Sequence, residues 1–396
     1  MVNLKRLITP KKSKVYLLSI GHLVHDIYTS FLSPVLPLLI EKFSLTYTLA
    51  ACLRLAMRIP SILNPYIGHI ADGVGLKYFV ALAPAITAIA MSLIGKAPNY
   101  LSLVILLIVA GLSSSFFHVP APVILKRISD RKLGMSMSCF QIGGEFSRAI
   151  GPIIVVGAIS LWGFAGIYRL MPLGIVISIV LLLKLKDEKI PRHRSKKYNF
   201  KKSITKTLKQ GKMLIFALLG ILLIKSFTAS VIAAFLPTYL SFKGYSLLMA
   251  GGALSILQAA AIIGVLLSGT ISDIIGRRRL LIIVSFCSPL AMLLFLIGVK
   301  QAFIPVVILL GLISFSSTSV VLALIQEKNF KYPSIANGIY MTINFLLSSF
   351  IVLFFGKLAD MFGMEKAFLI SRICSFLGLP LVFCIPKVDE NCRSCG

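Results

Sequence analysis

Apolar residues run through this sequence in long blocks, and polar residues are confined to short breaks between them. Blocks of roughly 20 residues recur almost end to end, each long enough to cross about 30 Å of hydrocarbon as a helix. Backbone groups in lipid must be satisfied internally, so only helices and closed barrels span a membrane. The blocks are too long and too rich in Leu and Ile for alternating barrel strands. The pattern predicts an all-α membrane protein with twelve transmembrane helices in two six-helix bundles. The spans fall at about residues 15–40, 47–71, 78–95, 100–125, 133–158, 164–183, 213–241, 249–273, 279–299, 302–327, 334–358 and 366–386. An even count places both termini on one side.

Composition removes the soluble alternative. A length of 396 residues would suit two or three soluble domains. Only 14% of residues are charged, against about 25% in soluble chains, and the mean hydropathy is +0.93. The net charge of +28 could suggest nucleic acid, but the basic residues occupy the breaks, as topology signals facing anionic lipid do. No nucleic-acid partner is therefore expected. With the first segment cytoplasmic, 29 Lys and Arg lie on that side and only Lys42, Lys96, Lys243, Lys300 and Lys366 on the other. This asymmetry puts both termini inside a cell membrane. The first block follows a basic stretch but is too long for a signal core and contains Asp26 and two histidines, so it reads as a retained span. Cys52, Cys139, Cys287, Cys374 and Cys384 sit in apolar blocks as small hydrophobes. Cys392 and Cys395 form a lone CxxC with no visible partners. There is no catalytic set, no G-x-x-x-x-G-K-[ST] loop for ATP and no zinc-site company for His22 and His25. The chain is expected not to be an enzyme and to need no cofactor or metal.

The basic, polar loop 184–212 separates residues 1–183 from 213–396, and the two halves repeat. Gly68-His-Ile-Ala-Asp72-Gly-Val-Gly75-Leu-Lys77 follows span two. Gly269-Thr-Ile-Ser-Asp273-Ile-Ile-Gly276-Arg277-Arg278 follows span eight, 201 residues on. Gly111-Leu112 in span four matches Gly311-Leu312 in span ten. Parallel six-plus-six repeats suit a transporter that rocks two halves about a midplane site. The acid–base cluster in each loop reads either as a conformational latch between helices or as a glycine turn whose charges serve topology.

The duplicated loop resembles the signature of the major facilitator superfamily, and the resemblance covers the whole chain. Gly21-His22 to Asp26, Gly111 to His118, Phe140-Gln141-Ile-Gly143-Gly144 and Gly151-Pro152 resemble the fosmidomycin-resistance type of efflux protein. That likeness implies export of a phosphonate-like compound. Where the family has a polar or acidic residue after the His-Pro of span four, this chain has His118-Val-Pro120-Ala-Pro122, a departure that bears on the substrate. Gly143-Gly144, Gly151-Pro152 and Gly157 also resemble the span-five motif of proton-linked drug exporters. Tight helix packing is the competing account of those glycines.

Charges inside the spans carry the remaining information, since one at the bilayer centre costs about 2.5–3.5 kcal/mol on insertion scales. His22, His25, Asp26, Thr29 and Ser33 recur at helical spacing on span one. His22 can bond Asp26, whereas His25 points about 100° away. Asp26 reads as a proton carrier, or as the permanent partner of Arg54 or Arg58. Ser138, Gln141, Glu145 and Arg148 share a face of span five, where Glu145 is a second proton site or the neutral partner of Arg148. Arg54, Arg58, Arg148 and Lys225 outnumber the two in-span acids and would attract an anion. His118 and Asn344 join the candidate cavity. The function that follows is a monomeric, proton-coupled secondary transporter exporting a small anionic compound. An importer or facilitator of sugars or organic anions, and a non-transporting receptor or scaffold of the same fold, are the rivals.

Overall fold

The computed structural model describes residues 10–71, 77–128, 133–185, 200–297, 303–327, 330 and 333–385. Every regular element among them is a helix. The first half contains α1 (Pro10–Thr29), α2 (Leu32–Phe43), α3 (Tyr47–Arg58), α4 (Asn64–Ala71), α5 (Lys77–Leu93), α6 (Tyr100–His118), α7 (Ala121–Ile128), α8 (Leu133–Trp162) and α9 (Met171–Leu185). The second contains α10 (Phe200–Lys225), α11 (Val231–Phe242), α12 (Leu247–Ile275), α13 (Arg277–Ile297), α14 (Phe303–Ser314), α15 (Ser317–Glu327), α16 (Pro333–Phe362), α17 (Met364–Ser375) and α18 (Leu379–Val382). All twelve expected spans coincide with these helices. Nine helical stretches among the described residues are long and apolar enough to cross a membrane. The other three expected spans, second, tenth and twelfth, are each interrupted by a short non-α turn. The loop expected at 184–212 is shorter, because α10 begins at Phe200.

The interruptions have local causes. In the first span the Thr29 and Ser30 hydroxyls bond the carbonyls of Asp26 and Ile27, at 3.0 and 2.7 Å, and such back-bonding bends helices. In the second, Pro60 follows α3 and a 3-10 turn runs over Ile59–Leu63, because proline supplies no N–H and crowds the preceding turn. In the fourth, Pro120 ends α6 at His118 for the same reason. In the seventh, a π-helical turn at Ser226–Ser230 follows Lys225.

Span two packs on span eleven through α3 and α16, and span five on span eight through α8 and α12. These two inter-half contacts exchange under the repeat. Individual bonds obey it as well. Thr46 caps α3 by accepting from Leu49 N–H, and Ser246, 200 residues on, caps α12 by accepting from Met249 N–H. Gly111 lies against the Met57 carbonyl, and Gly311 against that of Leu257. Leu161, Ile274 and Leu377 are more than two-thirds exposed, an outward apolar surface suited to lipid.

Candidate functional site

Three imidazoles converge on one buried carboxylate. Asp26 Oδ1 accepts from His25 Nδ1 at 2.8 Å and lies 3.1 Å from His118 Nε2, and Oδ2 lies 3.3 Å from His22 Nε2. His22 also contacts the Phe140 carbonyl through Nδ1 at 2.7 Å. A carbonyl only accepts, so Nδ1 carries a hydrogen. Nε2 then faces a carboxylate oxygen, and that contact is favourable only if a further proton sits on His22 Nε2 or on Asp26. His25 Nε2 is buried without a partner, so His25 is neutral and donates through Nδ1. Its bond to Asp26 corrects the expectation that their helical separation keeps them apart. Phe140 stacks on His22, and Phe117 stacks on His25, with ring centroids 4.0 and 4.6 Å apart.

Neighbouring glycines make room for this cluster. A Cβ on Gly144 would lie 2.4 Å from the His22 ring, one on Gly143 would meet the Ser19 carbonyl at 2.6 Å, and one on Gly151 would meet the Ser30 hydroxyl. The glycines of span five are therefore what lets α8 seat against α1. His22, Asp26 and His118 each offer a donor atom within 4.8 Å of the others, a spacing that would also admit a shared cation. No metal role is assigned to it.

Asp26 does not pair with Arg54 or Arg58, contrary to one expectation. Arg54 bonds the Ser33 hydroxyl at 3.3 Å and faces a separate, mostly apolar cleft of about 210 Å³. Arg58 lies 4.6 Å over the Phe345 ring and lines a second cleft together with His118. Met341 and Phe345, not Asn344, bring α16 to that cleft; Asn344 is half-buried beside them. Glu145 and Arg148 form the expected pair at 2.8 Å, and Gln141 is exposed one turn before Glu145. Lys225 donates to Thr318 Oγ1 at 2.9 Å. Arg58 feels the charges of Asp26 and Arg148, and Lys225 those of Arg148 and Glu145. Both halves thus present cations toward one another.

A profile of the Major Facilitator Superfamily matches residues 18–351. The chain belongs to the Major Facilitator Superfamily. It is 25% identical over 370 residues to the fosmidomycin resistance protein of Escherichia coli (strain K12), covering 91% of this chain and 89% of that protein. It is 23% identical to the multidrug resistance protein MdtG of Proteus mirabilis (strain HI4320), covering 71% and 72%. The crystal structure of the D-xylose–proton symporter superposes with a TM-score of 0.75 at 16% identity, covering 94% of this chain and 97% of that one. This facilitator is accordingly a multi-pass membrane transporter of small molecules, not an enzyme.

The superfamily's signature loops are only partly visible. Asp72 and Gly75 lie outside the described residues, as do the side chains at Gly68 and Asp273, and Lys77 opens α5. In the second copy, Gly276 adopts a φ of +94° at the end of α12, a region that favours glycine. Arg277 folds back on the Gly269 carbonyl at 3.3 Å and on the Ser272 hydroxyl, and Arg278 bonds the Phe383 carbonyl at 3.1 Å. Residues that sequence reasoning left out of the site include His25, Ser61, Asn64 and Phe345; the last three carry no charge, the signal by which the in-span candidates stand out.

Proposed function

We propose that this facilitator is a proton-coupled exporter of a small anionic compound, with both termini cytoplasmic in a cell membrane. The observation that carries the reading is the buried Asp26–His22 contact, which is favourable only with one proton more than neutral histidine and ionised aspartate provide. A proton held there has a defined donor and acceptor, and Asp26, the principal carrier, exchanges it when the half-channels open. Glu145, paired with Arg148, is the secondary proton site. Arg58, Arg148 and Lys225 supply the positive field for the solute. His22 completes the cavity, and the two signature loops act as latches. The efflux direction is supported by likeness to proteins named for fosmidomycin and multidrug resistance.

Reconstitution in liposomes with an imposed pH gradient tests this. Fosmidomycin should move against the proton flow, and Asp26→Asn should abolish gradient-driven accumulation. An Asp26→Asn protein that accumulates substrate as the parent does would remove Asp26 from the mechanism. Accumulation in the same direction as the proton flow would identify an importer.

A further inference from the structure

The cleft beside the carboxylate is polar and small. Arg58, Ser61, Asn64 and His118 bound it on the first half, and Met341 and Phe345 on the second. Among the described residues, Ser61 Oγ and Asn64 Oδ1 are buried with no hydrogen-bond partner, on residues only 4% and 2% exposed. No described carboxylate lies within ion-pair distance of Arg58, whose guanidinium rests on an aromatic face. A buried polar atom left unpaired is costly, and a bound solute would recover that cost.

We infer that this cleft is the subsite for the oxyanionic end of the transported solute, and that His118 is shared between the subsite and Asp26. The inference rests on the transporter reading above. Arg58 offers a planar fork for two oxygens of a carboxylate or a phosphonate. Ser61 and Asn64 bond a hydroxyl or amide carried next to the anion. The cleft is far too small for a whole drug-sized molecule, so it takes one end of a solute. Because both halves line it, rocking them apart dismantles it. Among the three imidazoles, His118 is the one that lines the cleft, with 20% of its side chain exposed. It faces Asp26, His22 and His25 from α1 and Arg58 from α3. A protonated His118 adds a second positive charge beside the solute, so protonation and anion binding favour each other through one side chain.

Thermal melting of the purified full chain in nanodiscs, titrated with simple probes, tests this, because a ligand that binds the folded state raises Tm with concentration. Propylphosphonate and butyrate should raise Tm, and their relative midpoints decide between phosphonate and carboxylate. Pentanamide and propyltrimethylammonium should not. Arg58→Gln should move the anion midpoint up at least about tenfold, and Arg58→Lys, which keeps the charge, by less. Lowering the pH from about 8 to about 5.5, through and below the ordinary histidine range, should tighten butyrate binding to the parent, since butyrate keeps its charge over that interval. His118→Asn should abolish that pH trend while anions remain preferred over the neutral and cationic probes. Equal responses to all probes, or an unchanged midpoint in Arg58→Gln, would overturn the subsite. A pH trend that survives His118→Asn would overturn the shared role. If Asp26→Asn still loses gradient-driven flux while the Arg58 variants bind normally, the subsite falls and proton coupling stands. Anion binding at Arg58 without any proton-linked flux keeps the subsite and removes proton coupling.

Discussion

At the scale of single side chains, the site depends on how closely α8 approaches α1. Gly144 leaves no room for a methyl group beside the His22 ring, and overpacking of this kind costs about 1–3 kcal/mol. Gly144→Ala should therefore displace His22 from Asp26 before it unfolds the protein. The expected outcome is loss of most gradient-driven flux with only a modest fall in Tm, read by liposome transport and melting in parallel. Full flux in a folded Gly144→Ala protein would mean that the His22–Asp26 contact is dispensable. Asp26, His22 and the Glu145–Arg148 pair were legible in the sequence because intramembrane charge is expensive and helical spacing is regular. The partners of Asp26 were not legible. Helical spacing within span one says nothing about His118, which reaches Asp26 from a helix nearly a hundred residues away. Nor does a wheel register that a side chain one position on can swing to its neighbour, as His25 does.

At the scale of elements, four ionisable residues sit where helices break, whereas Glu145 and Arg148 lie within the unbroken α8. Asp26 precedes the interruption of the first span, Arg58 ends α3, His118 ends α6 and Lys225 ends α10. Broken helices free backbone groups and give side chains a hinge, a recurrent device in transporters. Pro120 tests whether the break matters. In Pro120→Ala the helix can continue from α6 into α7, since Ile124 N–H already bonds the residue 120 carbonyl. Removing a helix-interior proline favours the helix by up to about 3 kcal/mol. Tm should hold or rise while gradient-driven flux falls, because a continuous helix fixes His118. Unaltered flux would make the break incidental. Apolar length announced the spans but not their breaks: residues 47–71 and 100–125 read as continuous across Pro60 and Pro120. It did not announce the π turn after Lys225, which has no proline and arises from packing in the folded bundle.

At the scale of the whole molecule, the halves meet at the end away from the N-terminus through one carboxylate. Asp360, near the end of α16, accepts from Tyr47 N–H at 2.7 Å and Thr48 N–H at 2.9 Å at the start of α3. Losing such a cap costs about 1 kcal/mol, which would raise the population open at that end about fivefold. In a chain stripped of native cysteines, Asp360→Ala should speed labelling of a Ser33→Cys thiol from that side by about that factor; an unchanged rate would exclude Asp360 as a gate. The repeated glycines and signature loops were readable in the sequence, but the Lys225–Thr318 contact was not, because it joins helices whose residues lie 93 positions apart. Lys225 has a hydroxyl for a partner and no carboxylate within ion-pair distance among the described residues. A half-buried cation so placed destabilises the fold, and replacing a buried charge with an apolar side chain of similar volume is often stabilising by about 1–4 kcal/mol, an upper range for this position. Lys225→Met should therefore raise Tm and at the same time lower anion flux at least about tenfold. A purely structural lysine predicts the opposite pairing, a lower Tm with flux per folded molecule intact, and melting measured beside liposome transport separates the two.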